Sequence, residues 1–231
     1  SQDERRDRAI KILGALKKRY PDAHVPLVYR TPLELMVATI LSAQCTDARV
    51  NEVTKPLFKK YRKAADWAAV DQETLEEEIR PTGFFHNKAK AIRAATAEIV
   101  ESHGGRVPGT QEELLALRGI GRKTANVILA HAFDTQGIVV DTHYIRNARR
   151  MGLTNEFDPV KIEFATMRFL PERHWSDFSL WMTWHGRYVC PARKPSCGEC
   201  PVAVLCPAAE SEGKVTWRVK KPPKPKPRKK N

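Results

Sequence analysis

Apolar residues recur along this chain at the three- and four-residue spacing of an amphipathic helix, and rarely alternate for long. Ile12, Leu13 and Leu16 make one such stripe within residues 8–19, which Pro21 closes. Thr31-Pro32-Leu33-Glu34 reads as a capping box with proline at the first helical position, followed by Leu33, Met36, Val37, Ile40 and Leu41 on one face. Further helices are predicted near Thr46, from Asp71 to just before Pro81, and from Asn87 to Gly104-Gly105. Thr110, the region of Arg122, Asp141 and Asp158-Pro159 each open another, and an aromatic-rich helix spans residues 176–184. Residues 137–140 are too short to build a sheet, and no internal repeat is present. The pattern predicts an all-α fold.

One segment concentrates chemistry. Thr110 is placed to bond the Glu113 backbone N–H while the Glu113 carboxylate reaches back, so a helix starts there with Leu114, Leu115 and Leu117 as its apolar face. Gly119-Ile120-Gly121 then breaks it, because glycine permits backbone angles that a side chain forbids, and Ile120 plugs the turn into the core. The next helix opens on Arg122 and Lys123. Its first turn offers unpaired N–H groups beside two cations, an arrangement that binds a phosphate. Val139-Val140-Asp141-Thr142-His143 follows and supplies a carboxylate. Taken alone, a Gly-x-Gly turn is also compatible with a plain helix connection, and Asp141 with a plain N-cap.

Four cysteines form a second signal. Cys190, Cys197, Cys200 and Cys206 are spaced C-x6-C-x2-C-x5-C, in a stretch too short and too punctuated by proline and glycine to bury a core of its own. A metal centre would hold it. Four thiolates bind zinc or an iron–sulfur cluster, and spacing alone leaves both open. Disulfides are disfavoured, because Ser1 to Arg8 is charged rather than apolar and gives no secretory signal, which predicts a reducing, cytoplasmic setting. Cys45 stands apart and reads as a packed thiol.

These motifs together resemble the endonuclease III family of DNA base-excision glycosylases. The resemblance rests on the run Leu117 to Val127 with Val140 to His143, on Leu41-Ser42-Ala43-Gln44 with Thr46-Asp47, on Gly83 through Ala89, and on Trp184-His185-Gly186-Arg187-Tyr188 leading into the cysteines. It covers roughly residues 27 to 206. It implies two all-α domains with a DNA-binding cleft between them: a helical barrel with the helix-hairpin-helix (25–137), and a cluster domain (138–212) against which an N-terminal helix (1–24) packs. It also implies a [4Fe-4S] cluster on the four cysteines, with Arg187, Arg193 and Lys194 facing the DNA backbone.

The same resemblance assigns roles. Lys123 becomes the amine that attacks C1′ and forms a Schiff base, and Asp141 the carboxylate that stabilises positive charge on the sugar. Lysine loses its proton readily when desolvated or set beside other cations, and Arg122 with the helix N-terminus supplies such a field. The adenine-glycosylase relatives share the cysteines and the aspartate but lack the lysine, so Lys123 implies a bifunctional glycosylase and abasic-site lyase rather than a monofunctional enzyme. The implied partner is double-stranded DNA carrying oxidised pyrimidines such as thymine glycol, or abasic sites, bound by a monomer. Arg118, Gly119, Gly121 and Arg122 line the phosphate-binding hairpin. Gln44 matches the residue that fills the hole left by an extruded nucleotide, and Phe84 occupies the wedge position. Tyr144 is brought near the lesion pocket. Two departures stand out: an aromatic at 84, where the family has an aliphatic wedge, and Arg118, where it has proline.

Composition changes the picture little. The 231 residues, 42% hydrophobic, suffice for two modest domains or one large one, and no apolar run approaches a membrane span. The net charge of +13 suggests nucleic acid, but nine of the Lys and Arg residues lie from Lys214 onward with no acid among them. Residues 213–231, which alternate proline with charge from Lys220 on, read as a flexible basic arm, either solvated or touching DNA. A non-catalytic DNA-binding module and an iron–sulfur redox or regulatory protein are the competing readings.

Overall fold

The computed structural model describes residues 2–211; the basic arm 213–231 lies outside the described residues. Among the described residues there is no strand. The helices are α1 Gln2–Arg19, α2 Pro32–Leu41, α3 Asp47–Lys60, α4 Ala64–Ala69, α5 Gln72–Ile79, α6 Phe85–Ser102, α7 Gln111–Ala116, α8 Arg122–Ala132, α9 Thr142–Arg150, α10 Pro159–Phe169, α11 Trp175–Tyr188 and α12 Pro207–Ser211. None is long and apolar enough to cross a membrane.

Local chemistry explains most of the starts. The side chains of Thr31, Thr46, Asp71, Thr110, Asp141 and Asp158 each accept a backbone N–H in the first turn of the following helix, and proline stands at the opening of α2 and of α10. The second halves of the two capping boxes differ from expectation. Glu113 takes the Thr110 hydroxyl at 2.5 Å instead of a backbone N–H, and Glu34 takes the N–H of Arg30 at 2.6 Å, one residue earlier than the cap. Other boundaries differ too: α1 begins at Gln2, six residues ahead of the predicted start, and α11 runs from Trp175 to Tyr188. α6 begins at Phe85, two residues ahead of Asn87, because Phe84 enters it from the left-handed region (φ 50°) with no side-chain cap. The short α4 carries no Ser, Thr, Asp or Asn at its cap; Asp66 reaches back to the N–H groups of Arg62 and Lys63 instead.

The chain divides into two compact units. One runs from Val25 to Thr135; the other joins the chain up to His24 to everything from Gln136 on. In the first, α2 is buried almost throughout and meets Trp67, Leu75, Ile79, Ile92, Ile99 and Ile128 from α4, α5, α6 and α8. In the second, Ile12 and Leu16 of α1 pack with Tyr144, Phe178, Met182 and Trp184. Each fully buried aliphatic or aromatic side chain contributes about 1.5–3 kcal/mol by leaving water, which is what holds the unsheeted helices together. α1 is also tied down by polar bonds, from Arg8 to the Gly152 carbonyl (3.2 Å) and from Tyr20 to His185 (3.1 Å).

Candidate active site and cysteine loop

The hairpin between α7 and α8 is held from three sides. Ile120 is buried in the core of its unit, Gln111 donates to Asn126 across the two helices (2.6 Å), and the Arg118 N–H donates to Glu98 of α6 (3.1 Å). That last bond explains one departure from the family pattern, since a proline at 118 has no N–H to give. The Arg118 side chain itself is exposed. Gly119 is required on two counts: its φ is +86°, and a Cβ there would stand 2.7 Å from the Cβ of Ala91. Gly121 is different. It is extended, and a Cβ on it would meet nothing within 4 Å, so the protein itself does not demand glycine there. Gly121 caps α8 without a side-chain bond, and Arg122 and Lys123 stand in the first turn of this eleven-residue helix. Such an end attracts phosphate. Lys123 is solvent-exposed.

Asp141 belongs to the other unit, where both its carboxylate oxygens are engaged. Oδ1 accepts the Tyr144 N–H at 2.7 Å as the N-cap of α9, and Oδ2 accepts the Thr183 hydroxyl of α11 at 3.1 Å. The carboxylate is thus part of a cap and also fixed in direction by a second helix. His143, two residues on, accepts from Arg146 through Nδ1 (3.0 Å), and burial holds its imidazole below the usual histidine range. Tyr144 is a core residue rather than a lining one: it is fully buried, packs edge-on against Phe178 and bonds Thr166.

Gln44 and Phe84 lie on separate loops of the first unit, both exposed and both left-handed, at φ 53° and 50°. Non-glycine residues rarely hold that conformation unless their surroundings impose it.

All five cysteines are thiols. Cys190, Cys197, Cys200 and Cys206 line one small cavity with Val189 and Val202. Among the described residues no three His, Cys, Asp or Glu side chains converge tightly enough to hold a single metal ion. Arg150 organises the loop, donating to the Cys190 sulfur (3.3 Å) and to the carbonyls of Pro191 (2.8 Å) and Ala192 (3.0 Å), while its own carbonyl accepts from the Cys206 thiol (3.2 Å). Arg146 adds two bonds to the Cys190 carbonyl. His185, fully buried and with its pKa lowered to about 4 chiefly by that burial, lies between Tyr20 (3.1 Å) and the Cys200 sulfur (3.6 Å). Burial pushes the Cys200 thiol up to about 12 and raises that of Cys206. Gly186 keeps α11 close to α9, since a Cβ there would come within 2.7 Å of the His143 Cβ. Arg187, Arg193 and Lys194 are exposed around the loop, Lys194 with φ 56°. The sequence reading missed Arg146, Arg150, His185 and Thr183. The bonds Thr183–Asp141, Arg146–Cys190, Arg150–Cys206 and His185–Tyr20 span 42 to 165 residues, so no local pattern announces them.

The model for HhH-GPD superfamily base excision DNA repair proteins matches residues 37–172. The endonuclease III of Synechocystis sp. is 53% identical over 208 residues, covering 90% of this chain and 95% of that protein. A solved non-covalent endonuclease III–DNA complex superposes with a TM-score of 0.86 at 41% identity, over 90% of this chain and 97% of that one. A trapped endonuclease III–DNA covalent intermediate does so at 0.87 and 41%, over 90% and 98%. Helix-hairpin-helix, capped aspartate and cysteine loop all fall on a fold and sequence shared with these proteins, and the chain belongs to the endonuclease III family within the HhH-GPD superfamily.

Proposed function

We propose that this chain is a bifunctional base-excision enzyme that removes oxidised pyrimidines such as thymine glycol from duplex DNA and cleaves the abasic site by β-elimination. The observation that carries the reading is that the one segment matching the family holds both an exposed lysine in the first turn of α8 and a carboxylate fixed by two hydrogen bonds. The target base must leave the stack to be reached. Phosphates seat on the N–H groups around Gly119, Gly121 and Arg122, and DNA lying there removes water from Lys123. The neutral Lys123 amine attacks C1′ as the base departs, and Asp141 stabilises the positive charge that builds on the sugar. The amine and C1′ then form an imine with loss of the ring oxygen bond. The imine accepts the electron pair released when C2′ loses a proton, and the 3′ phosphate leaves. Gln44 and Phe84 occupy the space vacated by the nucleotide, while Arg187, Arg193 and Lys194 meet the backbone.

The four loop cysteines would hold a [4Fe-4S] cluster, whose iron would bind their sulfurs as thiolates and staple the loop. The donor set fits. Zinc draws four sulfurs to about 2.3 Å of one centre, whereas a cluster takes one thiolate at each iron and spreads them around a larger volume. Four thiols lining one cavity supply the sulfur donors, and the resemblance of their spacing to the family's loop favours the cluster. Thiols with raised pKa values also need a cationic centre to become thiolates.

Asp141→Asn tests the reading sharply, because asparagine caps a helix about as well as aspartate while it removes the charge and turns the oxygen that accepts from Thr183 into an amide donor. Incision of a thymine-glycol duplex should fall by about 10²–10³-fold, the size of a lost electrostatic contact to a transition state. Binding to abasic duplex should persist. Incision at the parental rate would reduce Asp141 to a cap.

A further inference from the structure

Lys88 is a buried lysine that neither the hairpin chemistry nor the cysteine loop uses. It sits in the first turn of α6 with 4% of its surface exposed. Its Nζ donates to two backbone carbonyls from distant parts of the sequence, Leu41 at 2.8 Å and Thr82 at 2.8 Å. Leu41 is the last residue of α2, where carbonyls run out of helical partners; Thr82 ends the tight turn Arg80–Thr82 and is itself buried. Two oxygens that share one donor atom cannot drift apart by more than twice that distance, so the ammonium fixes the spacing of two loop origins.

What leaves those origins matters. Three residues beyond Leu41 the chain reaches Gln44, and two beyond Thr82 it reaches Phe84, through Gly83 at φ 69°. Both loops turn into the left-handed region as they come to the surface, and Phe84 ends 61% exposed. An ammonium suits this junction because it carries three donors around a point and makes charge-assisted bonds, which a hydroxyl or amide of similar reach does not. Burying a charge against neutral carbonyls is costly, and an apolar side chain of the same length would spare the fold that cost. Burial does hold the Lys88 ammonium below the usual lysine range. Retaining a lysine here makes sense if the geometry of the two loops must be set in advance.

We propose that Lys88 is a positioning residue for nucleotide extrusion, clamping the Gln44 and Phe84 loops at a fixed separation so that amide and ring enter the duplex together. The proposal rests on the reading of Gln44 and Phe84 as the extrusion pair given above. The test uses the full chain with Lys88→Met, which keeps length and removes the donors, and Lys88→Gln, which keeps two N–H groups and holds the junction if the apolar variant folds poorly. Each is assayed for excision from a paired thymine-glycol duplex and for β-elimination on a single-stranded abasic oligonucleotide. Both rates are divided by the fraction of protein that borohydride traps on the single strand, so that only folded enzyme is counted.

Lys88→Met should lose about tenfold to a hundredfold on the duplex, the scale of an ångström-sized misplacement, with little change on the single strand and with Lys88→Gln between. In a Gln44→Ala, Phe84→Ala background the same substitution should cost nothing further. Equal losses on both substrates, or a full loss persisting in that background, would make Lys88 a structural residue only and overturn the clamp. If the Gln44→Ala, Phe84→Ala protein excises from duplex as well as the parent, the extrusion reading itself falls. If that protein loses excision while Lys88→Met does not, the clamp alone falls.

Discussion

Asp141 and His143 both take their character from the hydrogen bonds that hold them. The two oxygens of Asp141 are divided between the α9 backbone and Thr183, so the carboxylate cannot rotate without breaking one of them. His143 is fixed in tautomer by Arg146, whose guanidinium can only donate; Nδ1 is therefore the acceptor and Nε2 carries the proton. Because burial depresses its pKa in the folded state, the unfolded chain binds a proton first as pH falls below about 6.5, and the folded protein loses stability relative to it. The contribution is present above that pH and lost on acidification. Replacing His143 with glutamine removes the titration, so in denaturant melts the parent should lose stability relative to the variant as pH drops through that range. A parent-to-variant difference that stays constant with pH would contradict the buried, neutral assignment. Residues of this kind were only partly legible in the sequence. Asp141 was visible as an N-cap, but its second partner is 42 residues away. Lys88, in the first turn of a helix, reads as solvated until the Leu41 carbonyl, 47 residues distant, is brought onto it.

At the scale of elements, the helices were legible where local chemistry sets them. Period, caps and prolines placed α2, α3, α5, α7, α9 and α10, because a threonine or aspartate side chain satisfies a backbone N–H within its own turn. The start of α6 was not, since the left-handed entry at Phe84 is imposed by packing and carries no residue signature. The cysteine loop is an element of another sort: two short turns, Cys197–Glu199 and Ala203–Leu205, anchored in the core by Val202 and with carbonyls tied to Arg146 and Arg150. Protein purified without air should contain about four irons and matching sulfide per chain. Zinc in place of iron would contradict the cluster reading, although the four ligands would stand.

For the whole molecule, the division into two units, with α1 joined to the C-terminal part, places Lys123 in one unit and Asp141 in the other. The net charge of +13 speaks for a polyanionic partner but not for chemistry, and nine of its cations lie from Lys214 onward, outside the described residues. In the proposed reading, chemistry turns on the Lys123 amine at the mouth of the hairpin. The most direct test incubates the full chain with an abasic-site duplex in borohydride, digests the product and maps the cross-linked residue by mass spectrometry. The account predicts a single adduct on the peptide bearing Lys123, absent from Lys123→Gln although that variant still binds the abasic duplex. An adduct on another residue, or trapping by Lys123→Gln as efficient as by the parent, would contradict it.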